Sequence, residues 1–125
     1  MGYSMEDTAK AIGLMANSGI KGTKAGTALR SMLSRLSAPP KECAEAMDNL
    51  GITLTDSEGN MKSLDEVMHD LRSSFANMNE TQQTAYAKAI AGQEAMSGLL
   101  AIVNAAPADY DKLTKAVQNS EGAAA

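Results

Sequence analysis

Along most of the chain, apolar residues recur at intervals of three and four, the spacing of one face of an α-helix, and the interruptions fall at glycines and prolines. Met5, Ala9, Ile12 and Ala16 form a first stripe. Ser4 stands where a side chain can cap that helix, and Glu6 and Asp7 occupy its first turn, where the helix dipole favours carboxylates. Gly19 ends the pattern. Thr23 is placed to cap a second helix with Ala25, Ala28, Leu29, Met32, Leu33 and Leu36 on its inward face. Ser37-Ala38-Pro39-Pro40 stops it, and Pro40 fits the first turn of a third helix carrying Cys43, Met47 and Leu50 inward, closed by Gly51.

The period then changes to two. Ile52 and Leu54 alternate with Thr53 and Thr55, "DSEGN" supplies turn residues, and Met61 leads out, which predicts a small β-hairpin near residues 52–62. Ser63 and Glu66 have the spacing of a capping box and open a fourth helix with the clearest stripe of all: Leu64, Val67, Met68, Leu71 and Phe75. Asn79 or Thr81 caps a fifth helix with Ala85, Ala89 and Ile90 inward. Gly92 interrupts it before Met96, Leu99, Leu100 and Val103 continue. Pro107 begins a final helix with Tyr110, Leu113 and Val117, and the closing "NSEGAAA" reads as the start of a further helix cut short. The expected fold is all-α, a compact multi-helix domain of about six or seven short helices plus the one hairpin. Residues 1–125 are expected to form a single helical domain excised from a much longer chain.

Composition sharpens the core. The chain is 44% hydrophobic and 21% charged, with nine Met, no Trp, and only Phe75, Tyr3, Tyr86 and Tyr110 as aromatics. Packing therefore falls to Leu, Ile, Met and Ala, which fill space adaptably and without large interlocking rings. Cys43 is the only cysteine, so no intramolecular disulfide or Cys-rich zinc site forms, and it reads as a small buried side chain. No apolar run approaches the ~18 residues a membrane-spanning helix needs. Charge is uneven: residues 1–41 hold six basic side chains against Glu6 and Asp7, a balance of +4, and the remainder carries −8, for the net −4. Opposite-signed parts can attract across the fold or along an assembly.

Candidate chemistry centres on "NSGIKGTKAG", residues 17–26. A phosphate-binding loop of the Walker type needs Gly-Lys before a Ser or Thr, between a strand and a helix; here Gly22 is followed by Thr23 and the preceding segment is helical. The dinucleotide fingerprint is absent. In "DSEGNMKSLDEV" the acidic and amide groups at 56, 58 and 60 resemble a calcium loop, but Gly59 comes two places early and Val67 occupies the closing carboxylate position. His69 lies off the helical stripe and, with Asp65, Glu66 and Asp70, makes no metal constellation. No catalytic, cofactor-binding or metal-ligating residue is assigned, and no enzymatic activity is expected. A helix-turn-helix reading keeps some ground, because Lys24, Arg30 and Arg35 follow the glycine turn. Small residues at Thr23, Gly26 and Thr27 suit helix contact better than base recognition. On that view Gly19 turns the chain, Gly22 relaxes the link, and Gly26 lets another backbone approach.

The run "GLMANSGIKGTKAGTALRSMLSRLSAPPKECAEAMDNLGITLTDSEGNMKSLDEVMHDLR", continued by "AIAGQEAMSGLLAIVNAAP", resembles the core region of phage tail tape measure proteins over about residues 3–125. The likeness lies in the order of its parts: the glycine corner, the "LSRLSAPPKE" break, the "DSEGNMKSLDEV" hairpin leading into a capped helix, and "GQEAMSGLLAIV". It implies a structural virion component concerned with tail assembly and tail length, with no cofactor. The implied partners are tail tube and tail assembly proteins and other segments of its own long chain, with self-association left open. No specific nucleic acid and no membrane contact is implied for this segment. The implied location is the lumen of the tail tube in the virion, and the bacterial host cytoplasm during assembly. The alternatives are a helix-turn-helix DNA-binding domain and a host helical adaptor. Core packing is expected from Ile12, Leu29, Met32, Leu36, Leu71, Phe75, Leu99 and Leu100.

Overall fold

Where the apolar period breaks, the chain turns, and seven helices result among the described residues. The computed structural model describes residues 5–20 and 22–124, the last eight of these by backbone alone. The helices are α1 (Met5–Asn17), α2 (Gly22–Ser37), α3 (Lys41–Leu50), α4 (Leu64–Phe75), α5 (Glu80–Ala91), α6 (Met96–Val103) and α7 (Pro107–Ala124). The fold is all-α, as expected.

Local chemistry sets most helix ends. After α1 the amides of Ser18 and Ile20 both donate to the Met15 carbonyl, at 3.1 and 2.9 Å, and Gly19 takes φ +94°, a backbone state that a side chain would strain. Gly51 closes α3 in the left-handed region, donating to Asp48 and Met47 carbonyls, while the Ile52 amide reaches back to Met47 at 3.0 Å. Asn79 caps α5 reciprocally with Gln82. Ser63 caps α4 by accepting from the Glu66 amide at 3.1 Å, but the Glu66 carboxylate takes the Ser63 hydroxyl at 3.4 Å rather than completing the expected box. Thr23 already lies inside α2, and Pro40 is the extended residue just before α3, not part of its first turn. Ser4 lies outside the described residues, as does the side chain of Val117.

The hairpin expected near residues 52–62 is absent; one isolated antiparallel bridge, Thr55 with Met61, stands in its place. Both flanks are claimed by helix ends, since the Ile52 amide finishes α3 and Ser63 caps α4. The Asp56 carboxylate accepts from the Glu58 and Asn60 amides, at 2.9 and 3.0 Å, which fixes a turn. Too few residues remain to extend a ladder.

The core gathers around α6, which packs against α1, α2, α4 and α5. Its Leu99, Ala101, Ile102 and Val103 are buried, whereas Leu100 is only half-buried. All five stripe residues of α4 are buried. On α1 the expected face is wrong: Met5 is 90% exposed, Ala9 is exposed, Ile12 and Ala16 are half-buried, and Lys10, Ala11, Leu14 and Met15 face inward. Apolar residues surround most of α1, so the period alone does not select the arc that meets α2, α6 and α7. On α5 it is Ala87, Ile90 and Ala91 that are buried, and Ala85 is exposed.

Close helix approach occurs at Gly98 rather than Gly26. A Cβ at Gly98 would stand 3.1 Å from Ala28 Cβ and 3.2 Å from Met15 Sδ, whereas one at Gly26 would meet only Arg30 Nη1, at 4.0 Å. Gly26→Ala should therefore stabilise the fold by about 0.5–1 kcal/mol through helix propensity. Gly98→Leu should destabilise it by about 1–3 kcal/mol through overpacking. Thermal melts of the two variants check both signs.

Candidate functional site

The glycine corner is a turn, and it borders an open cleft. An open depression of about 570 Å³ lies between the start of α2 and the start of α6, walled by Gly19, Thr23, Lys24, Thr27, Glu94 and Gly98 among others. Its walls are mostly small residues and backbone. Lys24 and Glu94 are the charged groups lining it, so it offers a shape without a set of converging acids and bases.

Arg35, one of the basic residues of the helix-turn-helix reading, is engaged inside the fold. Its Nε donates to the Ile90 carbonyl at 3.1 Å and its Nη2 to the Ala89 carbonyl at 2.8 Å, with a longer contact to Glu42 at 3.3 Å. These carbonyls end α5, where helical partners run out and the dipole favours a cation. The Arg35 side chain also lies over Gly92, within 3.3–3.4 Å of where a Cβ would be. Cys43 Sγ donates to the same Ile90 carbonyl at 3.4 Å, and burial pushes its thiol pKa up, which suits a structural side chain better than a nucleophile. A second arginine does for α6 what Arg35 does for α5: Arg72 Nη1 donates to the Ile102 carbonyl at 2.7 Å.

The most concentrated polar geometry lies where α1, α4 and α7 meet. Lys10, only 5% exposed, donates through Nζ to Asp65 Oδ1 at 2.7 Å. Tyr110 donates its hydroxyl to the same oxygen at 2.7 Å, and its ring lies under two cations, Lys10 Nζ at 3.5 Å and the Arg72 guanidinium at 4.4 Å. Asp7 accepts from the Asp65 amide at 3.1 Å, placing a carboxylate at the first residues of α4. Burial raises the Asp65 pKa, but hydrogen bonds from Lys10 and Tyr110 outweigh it and hold the carboxyl below its ordinary value. Burial, followed by donation to Asp65, pushes the Tyr110 hydroxyl well above its ordinary range. The charge pair in this cluster ties α1 to α4, pairing the lysine that is buried there. A lysine set within an otherwise apolar arc of α1 was the only sequence trace of it; nothing in the spacing joins positions 10, 65 and 110.

His69 is exposed, and among the described residues no group of three or more His, Cys, Asp or Glu could hold a metal ion. No described helix is long and apolar enough to cross a membrane.

The family described as "Phage-related minor tail protein" matches residues 1–92. A tape measure protein of Pneumococcus phage Dp-1 is 42% identical over 124 residues, covering 99% of this chain and 11% of the relative. A probable tape measure protein of Escherichia phage P2 is 36% identical over 124 residues, covering 97% of this chain and 15% of the relative. The chain thus spans a small part of the length of both. No solved structure matches it significantly.

The cluster makes stability depend on pH at both ends of the scale. Asp65, lowered on folding, contributes stability that is present above its unfolded value near 3.8 and is lost as pH falls through the folded value. Tyr110, raised on folding, contributes stability that is present below about 10.0 and is lost as pH climbs towards its folded value. Asp65→Asn, which leaves Lys10 without its anion beside a half-exposed site, should cost about 1–3 kcal/mol at pH 7. The gap between variant and parent should close as pH falls towards 2. Urea unfolding of both chains at several pH values measures it.

Proposed function

The chain belongs to the phage-related minor tail protein family, and on that premise we propose that it is the folded core segment of a tail tape measure protein. The observation that carries this reading is the 42% identity over 99% of the chain to a protein named as a tape measure. Its role is structural rather than catalytic: one helical domain within a much longer chain, contributing to tail assembly and to the setting of tail length. Its partners are tail tube and tail assembly proteins and neighbouring segments of its own chain. It works in the host cytoplasm during assembly and in the tail tube lumen of the virion.

Physical scale supports a folded segment over a measuring rod in this stretch. A single straight helix of 125 residues would extend about 190 Å at ~1.5 Å per residue. The chain instead turns after each of its first six helices, and its longest, α7, has 18 residues, or about 27 Å. The engagement of Arg35 with α5 favours the tail reading over the DNA-binding alternative, because it withdraws a basic side chain from any groove.

An in-frame deletion of this segment from the full-length gene in its phage or prophage tests the proposal, with tails counted and measured by negative-stain electron microscopy. The expected result is a loss of finished tails or a wide scatter in their length. A normal yield of tails at unchanged length contradicts a part in assembly, and intact tails uniformly shorter by about 190 Å contradict the folded form in favour of an extended one.

A further inference from the structure

Each of the six helices before α7 buries at least three side chains, whereas none of the described side chains of α7, residues 107–116, is buried. This helix packs on α1. What holds it is compact: the Tyr110 hydroxyl on Asp65, the Tyr110 ring beneath Lys10 and Arg72, and Leu113 over Gly13, where an added Cβ would come within 2.9 Å of Leu113 Cδ2. We propose that α7 is a strap that docks on, and lifts off, the preceding six helices as one unit while those helices stay folded.

The polar groups it would leave behind explain why. A helix that completes a buried ion pair cannot depart without stranding a charge, at a large desolvation cost. Tyr110 completes none. Lys10 pairs with Asp65 at 2.7 Å and Arg72 donates to the Ile102 carbonyl at 2.7 Å, and neither contact runs through the tyrosine. Undocking gives Lys10 back to water with its partner still attached, and the strap carries its own helical hydrogen bonds with it. Among the described side chains, what is given up includes one hydroxyl bond, two ring–cation contacts and the packing of Leu113 over Gly13. The link is suited to such movement: Asn104 and Ala106 are exposed, Ala105 is half-buried, and Pro107 has no amide to tie down. Lifting α7 uncovers the Lys10–Asp65 pair and the Gly13 surface of α1, which makes a new face available without unfolding the core.

Native-state amide exchange of the 125-residue chain along a urea series, below its unfolding transition, separates a strap from its alternatives. Amides of residues 110–114 should exchange at least about tenfold faster than those of α4 and α6. Their urea slope should lie between zero and that of global unfolding, because undocking exposes part of the surface and no more. Tyr110→Phe should quicken them by roughly a further tenfold, in line with a lost bond to a charged acceptor, with the slope unchanged. A slope of zero would mean fraying turn by turn, and a rate and slope equal to those of α4 would mean that α7 leaves only in global unfolding. Either result overturns the proposal, as does a Tyr110→Phe chain whose α7 amides exchange at the parental rate.

Discussion

A short helix that is apolar on nearly every side has to be covered on nearly every side, and α6 imposes that constraint on the rest of the chain. "MSGLLAIV" offers no charged face to water, so four other helices surround it, and Gly98 lets α2 and α1 come within touching distance. Covering a helix of eight residues also covers its ends, where backbone carbonyls have no helical partner. Arg72 answers at the C-terminal end of α6, and Arg35 answers at the end of α5 just before it. The two breaks on either side of the central helix are thus each sealed by a guanidinium from another helix. Packing supplies the drive, and these donors remove the penalty that packing would otherwise create.

Much of this was legible wherever local chemistry decides. The α4 stripe, the left-handed turn at Gly51, the Asn79 cap and the break at Gly92 depend on neighbours within a few residues, and they appear where the sequence places them. Three features were misread, the first two because they depend on distant partners. The buried arc of α1 is chosen by which helices surround it, so Met5 points to solvent while Leu14 and Met15 do not. The small-residue contact falls at Gly98 instead of Gly26 because α6 meets α2 at Ala28, while nothing but Arg30 comes within reach of Gly26. The alternation from Ile52 to Thr55 has a strand's period, but the Ile52 amide is drawn into the end of α3 and only the Thr55–Met61 bridge forms beyond it. The cluster of Lys10, Asp65 and Tyr110 had no sequence signature, since it joins positions separated by 55 and 45 residues.

The proposed structural role fits this physics. A core of Leu, Ile, Met and Ala fills space with flexible side chains, which suits the proposed role. Arg35, Arg72 and Lys10 are turned inward to helix ends and to the α1–α4–α7 cluster, whereas Lys24 and Arg30 remain exposed. What the fold presents outward is helix faces and shallow clefts, one of them at the glycine corner.

The centrality of α6 is tested most directly by Ile102→Ala, with stability read from urea unfolding. Ile102 is 2% exposed within the shared core, so the account predicts a loss of about 2–5 kcal/mol with a cooperative transition retained. A loss below about 1 kcal/mol, the range of a surface position, would contradict a fold organised around that helix.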